Sequence, residues 1–318
     1  MHAFILAGGF ATRLWPLTEK RAKPLLPLAG LPILTHIVEK IPAEIAVTVS
    51  TNAVFEESFH TWAKTIDRAS LDIMIEPTTH DDKKLGTNGA LAEWIRSARI
   101  EEDILLLTGD NYLGFSIEEF LKHYSGNTLI AAFDSGNLDE AKKFGTVMLD
   151  DDGKRIAGFE EKPAAPKTTL VSTGCSVIPA STFTVIVEYA KTHPDHIGGI
   201  FEEFLRRGIA IDCFRFEEPW FDVGSFETYL TATKALVGDR ALLASTAQLQ
   251  TCETEGSVVV GERSVVEGST LRDSVIFEGC RIRNCVLERC VIDDGCTLEG
   301  VDLTGKMIRA GTVLNASA

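Results

Sequence analysis

From about residue 258 onward, aliphatic side chains recur with a period of 16 residues, and a period that short admits very few folds. Val260, Ile276, Ile292 and Ile308 form one register, Val266, Ile282 and Leu298 a second, and Leu271, Leu287 and Leu303 a third. Each 16-residue step divides into 6, 5 and 5, too few residues for a strand, a helix and their connections. One inward aliphatic on each of three faces describes a parallel β-helix of the hexapeptide-repeat kind, with about three coils. A bare solenoid end exposes unpaired strands, so one end is expected to stack on another domain or subunit.

The same period decides how the cysteines are read. Four of the seven, Cys280, Cys285, Cys290 and Cys296, crowd into one stretch and invite a zinc reading. Structural zinc sites favour paired Cys-x-x-Cys spacing, whereas the gaps here are five, five and six. Ser264, Cys280 and Cys296 are 16 apart, as are Ser269 and Cys285, and Ser274 and Cys290. Cysteine alternates with serine at one structural position, which is the behaviour of a small side chain stacked along a coil.

Up to about residue 236 the chain alternates short β-rich runs with amphipathic helical patterns, as in a sheet covered by helices. AFILA, IAVTVS, LDIMIE, DILLLT, TLIAAF, TVMLD, IAGFEEK, STGCSVI and AIDCFRF are the candidate strands. Ser116 followed by Glu119 predicts a capping box before IEEFLKHY. Ala90, Leu91, Trp94, Ile95 and Ala98 have helical spacing after LGTNG, and the turn Asp150 to Gly153 predicts a hairpin. The expected domains are 1–240 and 241–318.

Length and charge narrow the function. A chain of 318 residues with 45% hydrophobic and 24% charged residues buries a core without crosslinks. A net charge of −15 argues against nonspecific binding to nucleic acid or to anionic membranes, but a few local cations can still hold small anions. MHAFILAGG has no basic leader region, and no apolar run approaches the roughly 20 residues of a membrane span, so the expected location is cytoplasmic.

The segment richest in chemistry is Leu6 to Leu34, LAGGFATRLWPLTEKRAKPLLPLAGLPIL. An apolar strand ends in Leu6 and Ala7, and Gly8 and Gly9 then let the backbone approach a ligand closely. Thr12 and Arg13 follow, with Lys23 ten residues beyond the arginine, and Pro16, Pro24 and Pro27 stiffen the connection. Backbone N–H groups with two fixed cations describe a triphosphate cradle. It is neither the dinucleotide fingerprint, lacking G-x-G-x-x-G, nor a P-loop, lacking a closing GK[ST].

This segment resembles the signature GGxGTRLxPLTxxxxKPLxPLxxxP of the sugar-phosphate nucleotidylyltransferases, departing from it at Phe10 and Ala11. The resemblance implies an α/β fold, a Rossmann-like nucleotidyltransferase domain with a mixed sheet, followed here by a short left-handed parallel β-helix. It also implies roles for matching residues. Asp110 in Gly109-Asp110-Asn111 and Asp222 in WFDVGS are similar to the family's two magnesium carboxylates, and Mg²⁺ is the implied cofactor. FEEKP at Phe159 to Pro163 resembles the sugar-phosphate site, with Lys162 on the phosphate and Glu161 on sugar hydroxyls. Gly145 in FGTV and Gly174 in STGC resemble two further segments of that pocket. LGTNG, with Gly86 and Thr87, resembles the base-binding loop, preceded by Glu76 and Pro77.

The implied reaction joins a hexose 1-phosphate to a nucleoside triphosphate, giving a nucleotide-sugar and pyrophosphate. Arg13, Lys23, Asp110 and Asp222 are the expected catalytic set. Glucose 1-phosphate with dTTP or UTP is the first expectation, and mannose 1-phosphate with GTP the alternative, because a glutamate such as Glu76 accepts from the N1–H and amino groups of guanine. A non-catalytic regulatory homologue would have shed some of these charges, and all are present. Hexapeptide helices also host acyl transfer, which generally uses a histidine, and none follows His196. A pure interaction solenoid leaves the first 236 residues without purpose. The expected partners are therefore the two small substrates and further copies of the chain, not nucleic acid or membrane.

Overall fold

A computed structural model describes residues 1–9, 12–78 and 85–316. The N-terminal part runs through β1 (His2–Leu6), β2 (Pro27–Leu28), β3 (Leu31–Pro32), α1 (Ile33–Val38), β4 (Ala46–Asn52), α2 (Glu56–Ala63), β5 (Leu71–Glu76), α3 (Thr87–Ser97), β6 (Ile104–Thr108) and β7 (Asn111–Leu113). It continues with α4 (Ile117–Lys122), β8 (Thr128–Asp134), α5 (Leu138–Ala141), β9 (Gly145–Leu149), β10 (Ile156–Glu161), β11 (Leu170–Ile178), α6 (Phe183–Ala190), α7 (Gly199–Arg206), β12 (Ile211–Phe216), β13 (Trp220–Asp222) and α8 (Phe226–Val237). Short strands follow, from β14 (Ala241–Leu243) to β27 (Val313–Asn315). Among the described residues no helix is long and apolar enough to cross a membrane.

Two compact units emerge, each discontinuous in sequence: Met1–Gly9 with Ile37–Trp220, and Phe10–His36 with Phe221–Ala318. The cradle segment thus groups with the C-terminal part of the chain, a division that differs from a cut at residue 240. The reason is long-range pairing of that segment, described below.

The first unit holds the mixed sheet. Its path is β10-β9-β11-β6-β1-β4-β5, with β8 added on β11 and β12 on β8. β1 runs parallel to β4 and β6, and β4 parallel to β5, whereas β11 is antiparallel to β6, β8 and β9. Ala3, Phe4 and Ile5 are fully buried, as a central strand covered on both faces requires. Phe4 stacks on Trp94 of α3 at 4.4 Å, and Leu91 and Ile95 join the same core; of the helical spacing read in the sequence, Ala90, Leu91, Trp94 and Ile95 form the buried face of α3, whereas Ala98 caps the helix and is exposed. All nine candidate strands are present. The Asp150 turn closes the β9–β10 hairpin, with Asp150 Oδ1 accepting from the amides of Lys154 and Arg155. The capping box at Ser116 is only half formed. Ser116 Oγ accepts from the Glu119 amide, but the Glu119 carboxylate turns outward to Lys122, 3.0 Å away.

In the second unit the C-terminal strands form three parallel sheets: β14, β17 (Val258–Val260), β20 (Val275–Ile276), β23 (Val291–Ile292) and β26 (Met307–Ile308); β15 (Gln248–Gln250), β18 (Val265–Glu267), β21 (Arg281–Arg283), β24 (Thr297–Glu299) and β27; and β16 (Glu253–Glu255), β19 (Thr270–Arg272), β22 (Val286–Glu288) and β25 (Asp302–Thr304). This is the β-helix, and it is longer than the expected three coils. The extra coil starts at Ala241, where Leu242, Leu249 and Thr254 align with Val259, Val266 and Leu271 at a step of 17, which breaks the 16-residue period. Val266, Leu271, Ile276, Ile282, Leu287, Ile292 and Leu298 line a fully buried interior. Cys280, Cys285, Cys290 and Cys296 are buried among them, and every cysteine is a free thiol. Ser264 Oγ accepts from the Cys280 amide at 2.9 Å, and Ser269 and Ser274 repeat the contact to Cys285 and Cys290. Among the described residues no three or more His, Cys, Asp or Glu side chains cluster as metal ligands.

Candidate active site

In the first unit the chain leaves β5 on one flank of β1 and enters β6 on the other, so β1 and β6 border a topological switch point. Ligands of open α/β sheets bind there, beyond the carboxyl ends of the strands. β1 ends at Leu6, with Ala7, Gly8 and Gly9 following, and after β6 come Gly109 and Asp110. The Gly109 amide donates to Leu6 O at 2.8 Å, and the Ala7 amide donates to Ser50 O at 2.8 Å. Asn52 Nδ2 donates to Gly8 O at 3.0 Å, which fixes the glycine turn from β4.

Glu76, at the end of β5, is 6% exposed and accepts from Ser50 Oγ at 2.7 Å. A β-carbon on Gly8 would stand 3.1 Å from its Oε1, so the glycine brings backbone directly under this carboxylate. Asp110 is oriented by Asn111, whose Nδ2 donates to Asp110 Oδ1 and to Thr108 Oγ1, each at 2.8 Å. Asn111 Oδ1 in turn accepts from the Trp220 indole at 2.8 Å. One amide with three partners is locked in place, and with it the aspartate.

Gly145, Glu161, Lys162 and Gly174 fall in the same unit. β11 carries extra residues against β8 between Ser172 and Ser176, and Gly174, at φ +73°, forms that irregularity. A β-carbon there would lie 2.3 Å from Thr108 Oγ1, so only glycine fits. A β-carbon on Gly145 would stand 2.9 Å from Glu161 Oε2. Lys162 holds a left-handed backbone, φ +46°, a costly state for a non-glycine residue. Its side chain is 65% exposed, with the ammonium 3.6 Å from Glu161 Oε1. The Glu161 amide donates to Glu202 Oε1 at 2.8 Å.

Gly86 and Thr87 open α3. Asn88 and Gly89 donate their amides to Pro194 O at 2.8 and 3.1 Å, and Thr87 donates to Asp195 Oδ1 at 3.3 Å. Just beyond, Gly198 packs against Glu161, whose Oε2 a β-carbon on Gly198 would overlap. Residues 193–202 therefore touch both the Gly86–Gly89 segment and Glu161, a placement the sequence reading missed. Burial, reinforced by Glu202, Glu203 and Glu161, raises the pKa of the neighbouring Tyr189 phenol.

Arg13, Lys23 and Asp222 belong to the second unit. Lys23 opens a short 3₁₀ turn and is 7% exposed, with Nζ 3.1 Å from Asp222 Oδ1. The Arg13 guanidinium and the Asp222 carboxylate both lie over Gly224, each 3.5 Å from where its β-carbon would stand. Three of the expected charges thus gather at one place. Phe10, Ala11, the Thr12 side chain and most of the stretch between Pro77 and LGTNG lie outside the described residues.

The Nucleotidyl transferase family profile matches residues 2–238, and a profile described as GlmU-like, C-terminal hexapeptide matches residues 232–306. A mannose-1-phosphate guanylyltransferase of Mycobacterium tuberculosis is 28% identical over 94% of this chain and 83% of its own length. A glucose-1-phosphate thymidylyltransferase of Streptomyces antibioticus is 26% identical over 87% of the chain and 76% of its own. A bifunctional protein GlmU of Methanococcus maripaludis is 27% identical over 84% of the chain, which spans only 62% of that relative. With three-quarters of its length matched and the switch-point loops in place, the chain belongs to the nucleotidyl transferase family.

Proposed function

We propose that this enzyme transfers a nucleotidyl group from a nucleoside triphosphate to a sugar 1-phosphate, releasing pyrophosphate, with residues 1–240 as catalytic domain and 241–318 as β-helix. The observation that carries the reading is the buried Lys23 held 3.1 Å from Asp222, with Arg13 over the same glycine. A cation kept out of water beside a carboxylate is poised to exchange carboxylate for phosphate oxygens when substrate arrives.

The steps follow from the chain's own groups. Lys162 holds and orients the sugar phosphate, whose oxygen attacks the α-phosphorus in line, and Glu161 accepts from sugar hydroxyls. Arg13 and Lys23 neutralise charge gathering on the departing pyrophosphate. A phosphate monoester is already ionised at neutral pH, so no general base is required. Gly8, Gly9, Gly86 and Thr87 supply close backbone approach to the nucleotide. Asp110, oriented by the Asn111 amide, and Asp222, beside the Lys23 ammonium, are hard oxygen donors of the kind that would hold Mg²⁺. When bound, Mg²⁺ would supply charge neutralisation for the phosphates.

For the base, Glu76 supports guanine. An acceptor-only carboxylate, buried and fixed by Ser50, matches the paired N1–H and amino donors of guanine, whereas uracil and thymine present N3–H between two carbonyls. GTP with mannose 1-phosphate is accordingly preferred over the sequence expectation of dTTP or UTP with glucose 1-phosphate. Magnesium-dependent pyrophosphate release, measured as kcat/KM over common sugar 1-phosphates and nucleoside triphosphates, tests both levels. No turnover with any pair refutes the class, and a preference for dTTP or UTP refutes the role of Glu76. Lys23→Ala is expected to lower kcat by about 10²–10³ with the fold intact, and near-normal turnover removes it from the mechanism.

A further inference from the structure

One outward position of the β-helix is not uniform. The residue that follows the inward aliphatic of successive coils is Gly261, then Phe277, Asp293 and Arg309, each 16 apart. Three unlike side chains, aromatic, acidic and basic, stand above one another where packing alone asks for nothing specific.

The segment that carries Lys23 belongs to the same compact unit and meets all three. The Arg21 guanidinium lies over the Phe277 ring, 5.2 Å from its centroid. It also donates to Asp293 Oδ1 at 3.3 Å and to the Asp294 carboxylate. Glu19 takes a two-pronged hydrogen bond from Arg309, at 2.5 and 2.6 Å. On the far side of Lys23, Pro27 O accepts from the hydroxyl of Tyr229, a fully buried ring set edge-on to Phe277 at 6.5 Å. Asp293 is 5% exposed, and burial raises its carboxyl pKa against the pull of Arg21, so this is a committed contact and not a passing surface pair.

Only Ala22, 1% exposed, separates Arg21 from Lys23. At about 3.5 Å per residue, a shift of the Arg21 anchor reaches the Lys23 ammonium with little attenuation. We propose that Arg21 is a positioning residue for Lys23, and that the Phe277–Asp293–Arg309 ladder makes the β-helix a working part of nucleotidyl transfer. This rests on the reading of Lys23 given above. Arg is the residue suited to the task, since its planar fork engages two carboxylates while its face covers a ring, and a lysine offers neither.

The test is steady-state kinetics on the full-length chain. Arg21→Ala and Arg21→Lys are expected to lower kcat by about 10–100-fold with KM for the sugar 1-phosphate unchanged, because a misplacement near 1 Å suffices for such a loss. Should Arg21→Ala not fold, Asp294→Asn, at a half-exposed partner, is expected to lower kcat by about 3–10-fold. Glu19→Arg and Arg309→Glu should each lower kcat, and the double exchange should restore it, a rescue that a merely structural loss would not show. Arg289→Ala, which breaks a surface pair with Glu227 elsewhere on the β-helix, should match the wild type. Wild-type kcat in Arg21→Ala and Asp294→Asn while Lys23→Ala is inactive overturns the positioning role alone. Wild-type kcat in Lys23→Ala overturns the reading of Lys23 on which it rests.

Discussion

Gly174→Ala is the substitution whose effect the structure fixes most tightly. The new methyl group meets two separate costs. Holding alanine at φ +73° is worth about 1–2 kcal/mol. The methyl would also stand 2.3 Å from Thr108 Oγ1 and 2.9 Å from Thr108 Cγ2, and overpacking of that kind adds about 1–3 kcal/mol. The sum is a destabilisation of about 2–5 kcal/mol, large against the stability of a typical domain. The two costs separate experimentally. Thr108→Ala removes both offending atoms and leaves only its Cβ, 3.2 Å away, so it should recover the steric part and leave the backbone part. Urea unfolding followed by tryptophan fluorescence on the wild type, both single variants and the double variant gives the coupling energy, expected at about 1–3 kcal/mol in favour of the double variant. The single variant should also lose turnover, because Thr108 shares Asn111 Nδ2 with Asp110 and a displaced threonine loosens that carboxylate. A wild-type midpoint for Gly174→Ala, or two additive single substitutions, would show that the β11 irregularity is not packed as described.

Further outcomes follow from other sites. Lys162→Ala should raise KM for the sugar 1-phosphate about tenfold or more while changing kcat little, and the opposite split would remove it from phosphate binding. His2 is partly buried against Trp94 and bonded to Thr48 Oγ1 at 2.9 Å, and burial lowers its pKa below 6.5 against the pull of Glu102. The unfolded chain therefore binds the proton more readily, so stability from His2 is complete above the ordinary imidazole value and declines as pH falls below it. His2→Gln should flatten that slope in urea midpoints measured across the acid range, and an unchanged slope would refute the assignment. Cys285→Ser should cost about 1 kcal/mol or less, since Ser269 fills the same position one coil earlier and the amide and carbonyl partners persist. Stoichiometric zinc in the purified protein would contradict the stacking account of the cysteines.

Features that repeat locally were open to reading from the sequence. Val260, Ile276 and Ile292 lie on one face because a coil of fixed length returns each residue to the same place, and the Cys–Ser alternation follows for the same reason. The strands were legible because alternation and apolar runs are local. The first coil was not: its step of 17 and its polar Thr254 at an aligned position break the pattern without breaking the strand pairing. At the candidate site, the glycines and charges of the signature stood out, but what holds them did not. Asn111 is locked by Trp220, more than a hundred residues away, and Lys23 by Asp222, nearly two hundred away. Such partners leave no periodic trace. Residues 193–202 escaped notice because their contacts with α3 run largely through backbone carbonyls, to which the side-chain pattern is blind.

The discontinuity of the second unit bears on how the chain is made. Phe10–His36 leaves the ribosome early, yet its anchors at Asp222, Tyr229, Phe277, Asp293 and Arg309 emerge only after the whole of Ile37–Trp220. At about 5–20 residues per second, that is a wait of roughly 10–40 s. Throughout it Leu28, buried in the finished protein on the strand that α8 contacts, and Pro27, whose carbonyl Tyr229 takes up, lack those partners. Nascent chains are therefore expected to be most exposed to chaperones and proteases at this early segment. Translation that stops before the β-helix would leave the Lys23 loop without its scaffold, however complete the sheet of the first unit.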